Sequence, residues 1–324
     1  MRVGFIGLGN IGKPMALRLA AAEGIALSVF DVAPEPVAEL VAAGAHPSSS
    51  VASLALNSDV VCVMVRDDDQ VREVLGAILG VAGEGQTVVI HSTVAPGTPF
   101  QLADTASRHG VRILDAPVSG GAMGAADGTL AIMVGGDEAA FAAARPALEV
   151  MGSKVVHAGG IGSGTKFKLA RNMMHFAAFA AATEAQRLAE AAGLDLVELG
   201  QVVRHTDAVT GGPGAIMHRA TTAPLEESDF WYGVFDHVRA LGEKDLTFAL
   251  ALADDLGVDA PMARTALERL APGLGVSTSS TSGGSLVEPV ETGVSTSSTS
   301  GTSSTSGTNS TSGTSRTNDE EQGA

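Results

Sequence analysis

Residues 2–12 of the chain read RVGFIGLGNIG, a short apolar run followed by a glycine-rich loop. The run alternates as a β-strand does, and Gly7, Gly9 and Gly12 have the spacing G-x-G-x-x-G. A helical stretch begins directly afterwards. In such a unit the first glycine permits a tight turn, the second lets the backbone approach a pyrophosphate, and the third lets helix and strand pack closely. The order of strand, loop and helix therefore predicts a dinucleotide-binding site.

Asp31 indicates which dinucleotide this loop binds. It ends the second predicted strand, about twenty residues after the glycines, where a carboxylate accepts hydrogen bonds from ribose hydroxyls. Residues 32–34 contain no Lys or Arg, and a carboxylate repels a 2′-phosphate, so NAD is favoured over NADP. Leu8, Asn10 and Ile11 complete the predicted cofactor loop. The alternatives are a structural glycine turn and a carboxylate that only caps a helix.

The first half of the chain alternates between β-type and helical runs. Strands are predicted at 2–6, 26–30, 60–65, 87–91, 112–115 and 130–134, with helices such as 11–22, 37–43 and 69–79 between the early ones. This alternation is typical of a parallel sheet covered on both faces. Residues 1–160 are therefore predicted to form an α/β domain with a doubly wound Rossmann sheet.

The second half has a different pattern. Residues 161–273 are predicted to form an all-helical domain, with helices at 163–192, 195–205, 236–256 and 261–270. The first is rich in alanine and apolar almost all round, so we expect a long, buried helix that joins the domains. Residues 274–324 are nearly all Ser, Thr and Gly, too few apolar side chains to offset ordering entropy, and they predict a disordered tail.

Composition limits the range of partners and locations. The 324 residues carry a net charge of -16, and no basic stripe offsets it, which argues against nucleic acid and anionic membranes. We find no signal peptide and no apolar run long enough to span a membrane. A lone cysteine, Cys62, suits a reducing compartment, so a cytoplasmic location is expected. The histidines are scattered without metal-ligand spacing, and no metal is expected.

A second glycine stretch, DAPVSGGAMG, covers residues 115–124. Ser119, Gly120 and Gly121 follow a predicted strand and a proline. Successive glycines can turn their N–H groups toward one point and form an anion cradle, to which the serine hydroxyl adds a donor. A plain connection from strand to turn explains the same residues equally well.

The long helix carries one lysine in a distinctive position. Lys168, Asn172 and His175 share one helix face, whereas Lys166 points roughly the opposite way. Lys168 and Asn172 are therefore able to converge on one ligand. Beside an oxidised nicotinamide, burial and positive charge would lower the pKa of Lys168 so that it acts as a base. The alternative is a lysine that extends to solvent with its stem on the core.

Taken together, four stretches resemble the β-hydroxyacid dehydrogenase family, which includes 3-hydroxyisobutyrate dehydrogenases and tartronate semialdehyde reductases. They are GFIGLGNIGKPMA, DAPVSGG, GSGTKFKLARN and EKDLTFAL, and the resemblance covers residues 1–271. It implies an NAD-dependent oxidoreductase that transfers a hydride between nicotinamide and a small β-hydroxy acid. It further implies that Lys168 is the general acid/base, that Asn172 holds the same oxygen, and that Ser119, Gly120 and Gly121 bind the substrate carboxylate.

The resemblance also assigns cofactor contacts outside the glycine loop. By it, Val65, Arg66 and Thr93 lie beside the cofactor, and Lys244 of the K-D-L motif lies near the cofactor and active site. A homodimer or homotetramer is expected, because members of the family commonly assemble in that way.

Two residues depart from the family pattern. Arg171 replaces the first asparagine of the motif around the lysine, and His91 replaces the usual acidic residue before Ser92 and Thr93. Both departures leave the identity of the hydroxy acid open, and Arg171 is either a second anion contact or a solvent-facing side chain. Two other functions stay open: an imine reductase-like NADPH enzyme, and a non-catalytic cofactor-binding interaction protein that uses the Ser/Thr tail.

Overall fold

The computed structural model describes residues 1–276 of the protein. A nine-stranded sheet organises the first half of the chain. The strands are β1 Arg2–Ile6, β2 Ala26–Phe30, β3 His46–Pro47, β4 Val60–Val63, β5 Thr87–Ile90, β6 Arg112–Asp115, β7 Val118–Ser119, β8 Ala131–Gly135 and β9 Lys154–Gly159. Their order is β3-β2-β1-β4-β5-β6-β8-β7, and β9 pairs with β8.

The strand order has its reversal point between β1 and β4. β1 pairs in parallel with β2 on one side and with β4 on the other, and β5 and β6 continue in parallel beyond β4. Only the pairs of β8 with β6 and β7 are antiparallel. The predicted doubly wound α/β fold is confirmed, and in such sheets ligands bind beyond the carboxyl ends of the strands at this reversal.

The six predicted strands are all present, with ends that differ by two residues or fewer. Three further strands were not predicted. β3 and β7 contain two residues each, too few for a periodic pattern. β9 has the sequence KVVHAG and is exposed to half-buried along its length, so apolar alternation does not mark it.

Helices cover both faces of the sheet. They are α1 Gly12–Ala20, α2 Pro34–Ala42, α3 Val51–Leu56, α4 Asp68–Leu79, α5 Thr98–Ser107, α6 Gly121–Asp127 and α7 Glu138–Met151. Met15 and Leu19 of α1 pack into the core on one face, and Val71 and Leu75 of α4 pack into the core on the other. Polar caps begin α4, where Asp67 accepts from the Gln70 amide, and α7, where Asp137 accepts from Ala140.

Cys62 lies in the middle of β4, among the core side chains. It is fully buried, and burial raises the pKa of its thiol to about 12. The thiol therefore stays protonated and acts as a small apolar group, as its apolar sequence neighbours indicate.

The second half is helical, as predicted. It contains α8 Ser163–Ala191, α9 Leu196–Thr210, a short 3-10 helix at Gly212–Gly214, α10 Phe230–Asp255 and α11 Pro261–Leu274. A buried carboxylate ties α8 to α11, because Glu184 accepts hydrogen bonds from the amides of Met262 at 2.8 Å and Ala263 at 3.0 Å. These amides belong to the first turn of α11 and have no acceptor within that helix.

The prediction that α8 is buried is wrong for the single chain. Its buried residues are Gly164, Thr165, Lys168, Glu184 and Ala189 only, whereas Phe167, Met173, Phe176 and Phe179 are each more than half exposed. An apolar helix pattern predicts that the face is covered without saying by what. The described part of one chain leaves most of α8 uncovered.

The predicted start of the tail is also corrected. Leu274 is still helical, and Leu274 and Val276 are buried with Phe235 and Ala271, so the packed region extends past residue 273. The remainder of the predicted disordered tail, residues 277–324, lies outside the described residues. Within residues 1–276, none of the helices combines the length and the apolar character that a membrane crossing needs.

Candidate active site

The carboxyl ends of β1, β4, β5 and β6 lie at one edge of the sheet. The segments that leave this edge contain most of the residues that the sequence singled out. In sheet order they are Asp31 after β2, Gly7 after β1, Val65 and Arg66 after β4, and Thr93 after β5. Ser119 follows β6 by four residues, which extends the row to the other side.

The glycine loop has the geometry that a dinucleotide needs. Gly7 has a φ of 92°, which only glycine adopts readily. A Cβ on Gly12 would collide with the carbonyl oxygen of Gly7, so the third glycine lets α1 pack directly on the loop. A Cβ on Gly9 would meet nothing within 4 Å, so the second glycine faces open space. The residues present therefore fit a pyrophosphate that lies over Gly9, beside the positive end of the α1 dipole.

A cavity of about 430 Å³ lies beside this loop. Its wall contains the predicted contacts Gly7, Gly9, Asp31, Val65 and Arg66, and also side chains that the sequence did not indicate. Those additional residues include Val32, Val51, Gln70, Glu73, Val74 and Ala77. Leu8 is buried below the loop, whereas Asn10 is exposed and Ile11 is half-buried at the start of α1. The volume and the apolar wall suit the adenosine half of a dinucleotide.

Asp31 holds the glycine loop as well as lining the cavity. Its carboxylate accepts from the amide of Leu8 at 2.5 Å and from that of Ala33 at 2.8 Å. The second carboxylate in the wall belongs to Glu73. Sequence neighbours alone suggested that no cation is near Asp31, but Arg66 lines the same cavity, where its guanidinium pairs with Asp67 at 2.9 Å.

Ser92, which the sequence analysis did not single out, fixes the position of Val65. Its hydroxyl donates to the carbonyl of Val65 at 2.7 Å and accepts from the amide of the same residue at 2.9 Å. This pair of bonds joins the loop after β4 to the loop after β5. Thr93 follows directly and is exposed at the edge.

His91 is buried beneath the site. Its Nδ1 lies 2.8 Å from the carbonyl oxygen of Ala116, while Nε2 is buried without a hydrogen-bond partner. Burial lowers the pKa of His91 from 6.5 to about 4, so the ring is neutral at pH 7. It links the end of β5 to the segment after β6, and this neutral structural link takes the place of the acidic residue that is usual in the family.

We expect His91 to make the protein sensitive to acid. A histidine whose pKa is lowered by folding stabilises the native state above its unfolded pKa, and that stability is lost as the pH falls. Between pH 6.5 and 4 the free energy of unfolding should drop by up to about 3 kcal/mol from this residue. Urea unfolding at several pH values measures the slope. His91→Asn, which keeps a donor but does not titrate, should flatten it, and an unchanged slope would contradict the assignment.

The start of α8 is anchored to the sheet through Asp115, the last residue of β6. The buried carboxylate accepts from the amides of Gly162 and Thr165, each at 2.7 Å. Burial raises the pKa of Asp115, and the amides oppose this shift. A Cβ on Gly164 would collide with the backbone of β6 and β8, so the helix approaches the sheet closely here. Asp115 therefore fixes the start of α8, the helix that carries Lys168.

Lys168 reaches the second glycine stretch. Its side chain is buried with the residue 8% exposed, and Nζ donates to the carbonyl of Val118 at 2.5 Å and to the hydroxyl of Ser119 at 2.8 Å. An ammonium has three donors, so one remains for a ligand. Burial, and then the charge of Arg171, lower the pKa of Lys168.

The predicted anion cradle lies directly beside this lysine. Gly120 and Gly121 have φ values of 134° and 63°, conformations that strongly favour glycine. Gly121 is the first residue of α6, so its amide has no acceptor within the helix. The lysine, the serine hydroxyl and this amide thus lie in one neighbourhood.

Asn172 lies one turn after Lys168, half-buried on the same side of α8. Its Oδ1 accepts from Nη1 of Arg171 at 3.2 Å, which leaves its amide nitrogen to donate elsewhere. His175 follows on that side, with its ring 4.2 Å from Phe179. Lys166 lies away from the site, with its amine 5.4 Å above the ring of Phe100, which agrees with the geometry predicted for it.

The structure does not bring Lys244 to these residues. It lies on α10, which packs chiefly against α11, and its half-exposed amine pairs with Asp245 at 3.2 Å. Trp231, Tyr232 and Phe235 precede it and pack with Ala271 and Leu274, which favours a core role over a pocket lining. Across the described range, His, Cys, Asp and Glu side chains do not gather into a group able to hold a metal ion.

Comparison with known proteins shows which family models the chain matches. Residues 2–160 match the family described as the NAD binding domain of 6-phosphogluconate dehydrogenase. Residues 162–278 match the family described as NAD-binding of NADP-dependent 3-hydroxyisobutyrate dehydrogenase.

Individual relatives agree with both matches. The chain is 52% identical over 278 residues to an uncharacterized oxidoreductase of Mycobacterium tuberculosis (strain H37Rv), covering 85% of this chain and 94% of that protein. It is 36% identical over 261 residues to the NAD-dependent L-serine dehydrogenase of Pseudomonas aeruginosa, covering 79% and 83%. A crystal structure from Mycobacterium avium 104, named only as an oxidoreductase, matches with a TM-score of 0.82 and 51% identity, covering 85% and 98%. The chain belongs to the β-hydroxyacid dehydrogenase family, and it is an NAD(P)-dependent oxidoreductase that acts on β-hydroxy acids.

Proposed function

We propose that the protein is an NAD-dependent dehydrogenase of a small β-hydroxy acid, with Lys168 as its general acid/base. The observation that carries this proposal is the buried amine of Lys168, which donates to Ser119 beside the glycines of the cradle. A proton-transfer group and an anion-binding group are thereby adjacent. That spacing suits a substrate whose carboxylate and hydroxyl are separated by two carbons.

In the mechanism we propose, the chain holds the substrate at both ends. Ser119 and the amides of Gly120 and Gly121 bind the carboxylate. Lys168 takes the proton of the hydroxyl, and Asn172 donates from its amide nitrogen to the same oxygen and fixes its position. A nicotinamide cofactor on the glycine loop supplies the hydride acceptor. In the reverse direction protonated Lys168 returns the proton to the carbonyl oxygen.

The lowered pKa of Lys168 suits this task. A lysine at its ordinary pKa is almost always protonated at neutral pH and cannot accept a proton. Burial and the neighbouring Arg171 shift it toward the neutral form, which is the base needed for oxidation. A panel of β-hydroxy acids assayed by NADH absorbance tests the proposal, and the absence of turnover with all of them would contradict it.

We propose NAD as the preferred cofactor. Asp31 and Glu73 place two carboxylates in the wall of the adenosine cavity, where they oppose a 2′-phosphate, whereas the single cation there, Arg66, already pairs with Asp67. The related L-serine dehydrogenase is NAD-dependent by name. An NADP enzyme would instead use a free cation at this place.

A substitution at Asp31 should weaken the preference for NAD. We expect wild-type kcat/KM to favour NADH over NADPH by about tenfold or more. Asp31→Asn removes the charge but keeps one acceptor for the loop amides, and it should reduce that ratio by about tenfold. Glu73→Gln is the matched variant in the same wall and should act in the same direction with a smaller effect. A ratio unchanged by both variants would contradict the proposal.

The alternative of an imine reductase-like enzyme receives less support. That group usually has another residue in place of the lysine, and in this chain the lysine is present and bonded to the cradle. Assays with cyclic imines and NADPH separate the two functions. We expect no turnover of these imines.

We also propose that two copies associate through exposed apolar side chains of α8 and α10. Five phenylalanines on these helices are more than half exposed: Phe167, Phe176, Phe179, Phe230 and Phe248. At about 100 Å² each they offer roughly 500 Å², a large share of the about 800 Å² per partner in a stable interface.

Light scattering tests the assembly, and we expect a mass twice that of one chain. Phe176→Glu should give single chains, because a buried charge in the interface is costly. Leu56→Glu changes a similarly exposed apolar residue on α3 and should leave the mass unchanged. A wild-type protein that runs as one chain would contradict the proposal.

A further inference from the structure

Arg171 and Lys168 form a pair of cations on α8. They are three residues apart, which makes them neighbours on the helix surface. Arg171 is half-buried, and its Nη1 donates to Oδ1 of Asn172. Among residues 1–276 it takes part in none of the ion pairs. Most of its five N–H donors therefore remain for a ligand.

The charge of Arg171 acts on the groups around it. It contributes to the lowered pKa of Lys168, and together with Lys168 it contributes, after burial, to the lowered pKa of His175. Acidic residues outnumber Lys and Arg by 36 to 20 in this chain, yet none pairs with this cluster within the described range. A cationic site in an acidic protein attracts negatively charged ligands.

A substrate with one carboxylate does not use all of these groups. The Ser119 cradle takes the carboxylate, and Lys168, itself bonded to that cradle, takes the hydroxyl. In this scheme no group of the substrate binds Arg171. A guanidinium is planar and binds a carboxylate or a phosphate through two parallel hydrogen bonds, which a solvent-facing lysine would not do.

We propose that Arg171 binds a second anionic group of the substrate. The preferred substrates are then β-hydroxy acids with a carboxylate or a phosphate at the far end of the molecule. This inference rests on the proposed function of the same site. The contact has a second effect, since Oδ1 of Asn172 is held by Arg171 and its amide nitrogen is left to face the reacting oxygen.

Two acids of the same shape test the inference. 2-(Hydroxymethyl)glutarate and 2-(hydroxymethyl)pentanoate differ only in a terminal carboxylate in place of a methyl group. We expect kcat/KM to be at least about 30-fold higher for the dianion. Arg171→Gln should remove most of that advantage, because kcat/KM should fall at least about tenfold more for the dianion than for the monoanion, while Arg171→Lys keeps part of it. The analogue 2-(hydroxymethyl)-4-(phosphonooxy)butanoate shows which of the two anions the site prefers.

Other outcomes would overturn the inference. One is equal use of both acids by the wild-type protein, and another is an equal loss on both acids in Arg171→Gln. A role limited to lowering the pKa of Lys168 would shift the pH profile of kcat upward in Arg171→Gln for both acids alike, without a change in selectivity.

A binding measurement separates this inference from the proposed function. Glutarate and pentanoate carry no hydroxymethyl group, so their binding is measured without turnover. Calorimetry with NAD present should show that glutarate binds at least about tenfold more tightly than pentanoate, and that Arg171→Gln removes the difference. If neither hydroxy acid is oxidised but this difference persists, the dehydrogenase function fails and the anion site stands. If the acids are oxidised without any dependence on Arg171, the function stands and the anion site fails.

Discussion

Lys168→Ala should lower turnover by about 100-fold or more while NAD still binds with nearly its original affinity. General acid/base catalysis contributes about that factor, and the substitution removes the one buried amine beside Ser119. The cofactor loop lies on the other side of the sheet edge and does not depend on this side chain. Steady-state kinetics with NAD and a β-hydroxy acid measure the loss, and fluorescence titration measures NAD affinity.

Lys166→Ala is the matched control for this experiment. It removes a lysine two residues away on the same helix, whose amine lies over Phe100 and away from the cradle. We expect turnover within about twofold of the wild-type value. A Lys168→Ala protein with wild-type turnover would end the proposed role, as would equal losses in both variants.

The same substitution should have different effects at two glycines of the cofactor loop. At Gly12 we expect a loss of stability, and at Gly9 a loss of cofactor affinity. Gly12→Ala places a methyl group against the carbonyl oxygen of Gly7, and because that contact is with backbone, it cannot be relieved by a side-chain movement. We expect the free energy of unfolding to fall by about 3 kcal/mol. Gly9→Ala adds its methyl group to open space, so stability should change by less than about 0.5 kcal/mol.

Cofactor binding distinguishes the two variants further. The new methyl group at Gly9 occupies the place where the pyrophosphate approaches the backbone, so we expect the Kd for NADH to rise by about tenfold or more in a fully folded protein. Thermal unfolding without cofactor and titration with NADH measure both effects. A stable Gly12→Ala protein, or a Gly9→Ala protein with unchanged NADH affinity, would contradict the assignment of the loop.

Local spacing made much of this protein predictable from its sequence. The glycine loop, Asp31 and the helix face shared by Lys168 and Asn172 each depend on residues that are close along the chain. Strand–helix alternation likewise predicted the sheet, because central strands such as β4 and β5 are nearly continuous apolar runs. The motifs around Ser119 and Lys168 are each short, and the structure joins them through a hydrogen bond between residues 49 positions apart.

The features that the sequence did not reveal depend on distant contacts. Asp115 reads as an ordinary strand end, and only the fold brings it to the amides that begin α8. Glu73 and Gln70 belong to an amphipathic helix whose polar side turns out to line the cofactor cavity. The prediction for α8 was wrong because an apolar pattern is the same whether a helix is covered by its own chain or by another.

Alkylation of the buried Cys62 reports on unfolding of the protein. It is the sole thiol of the chain, and in the native state it is neither ionised nor reachable by a reagent. Alkylation therefore records only those molecules whose central strand has opened, with at most one label per molecule. Because the native thiol is unreactive, a fluorophore can be attached selectively at a single cysteine introduced on the surface.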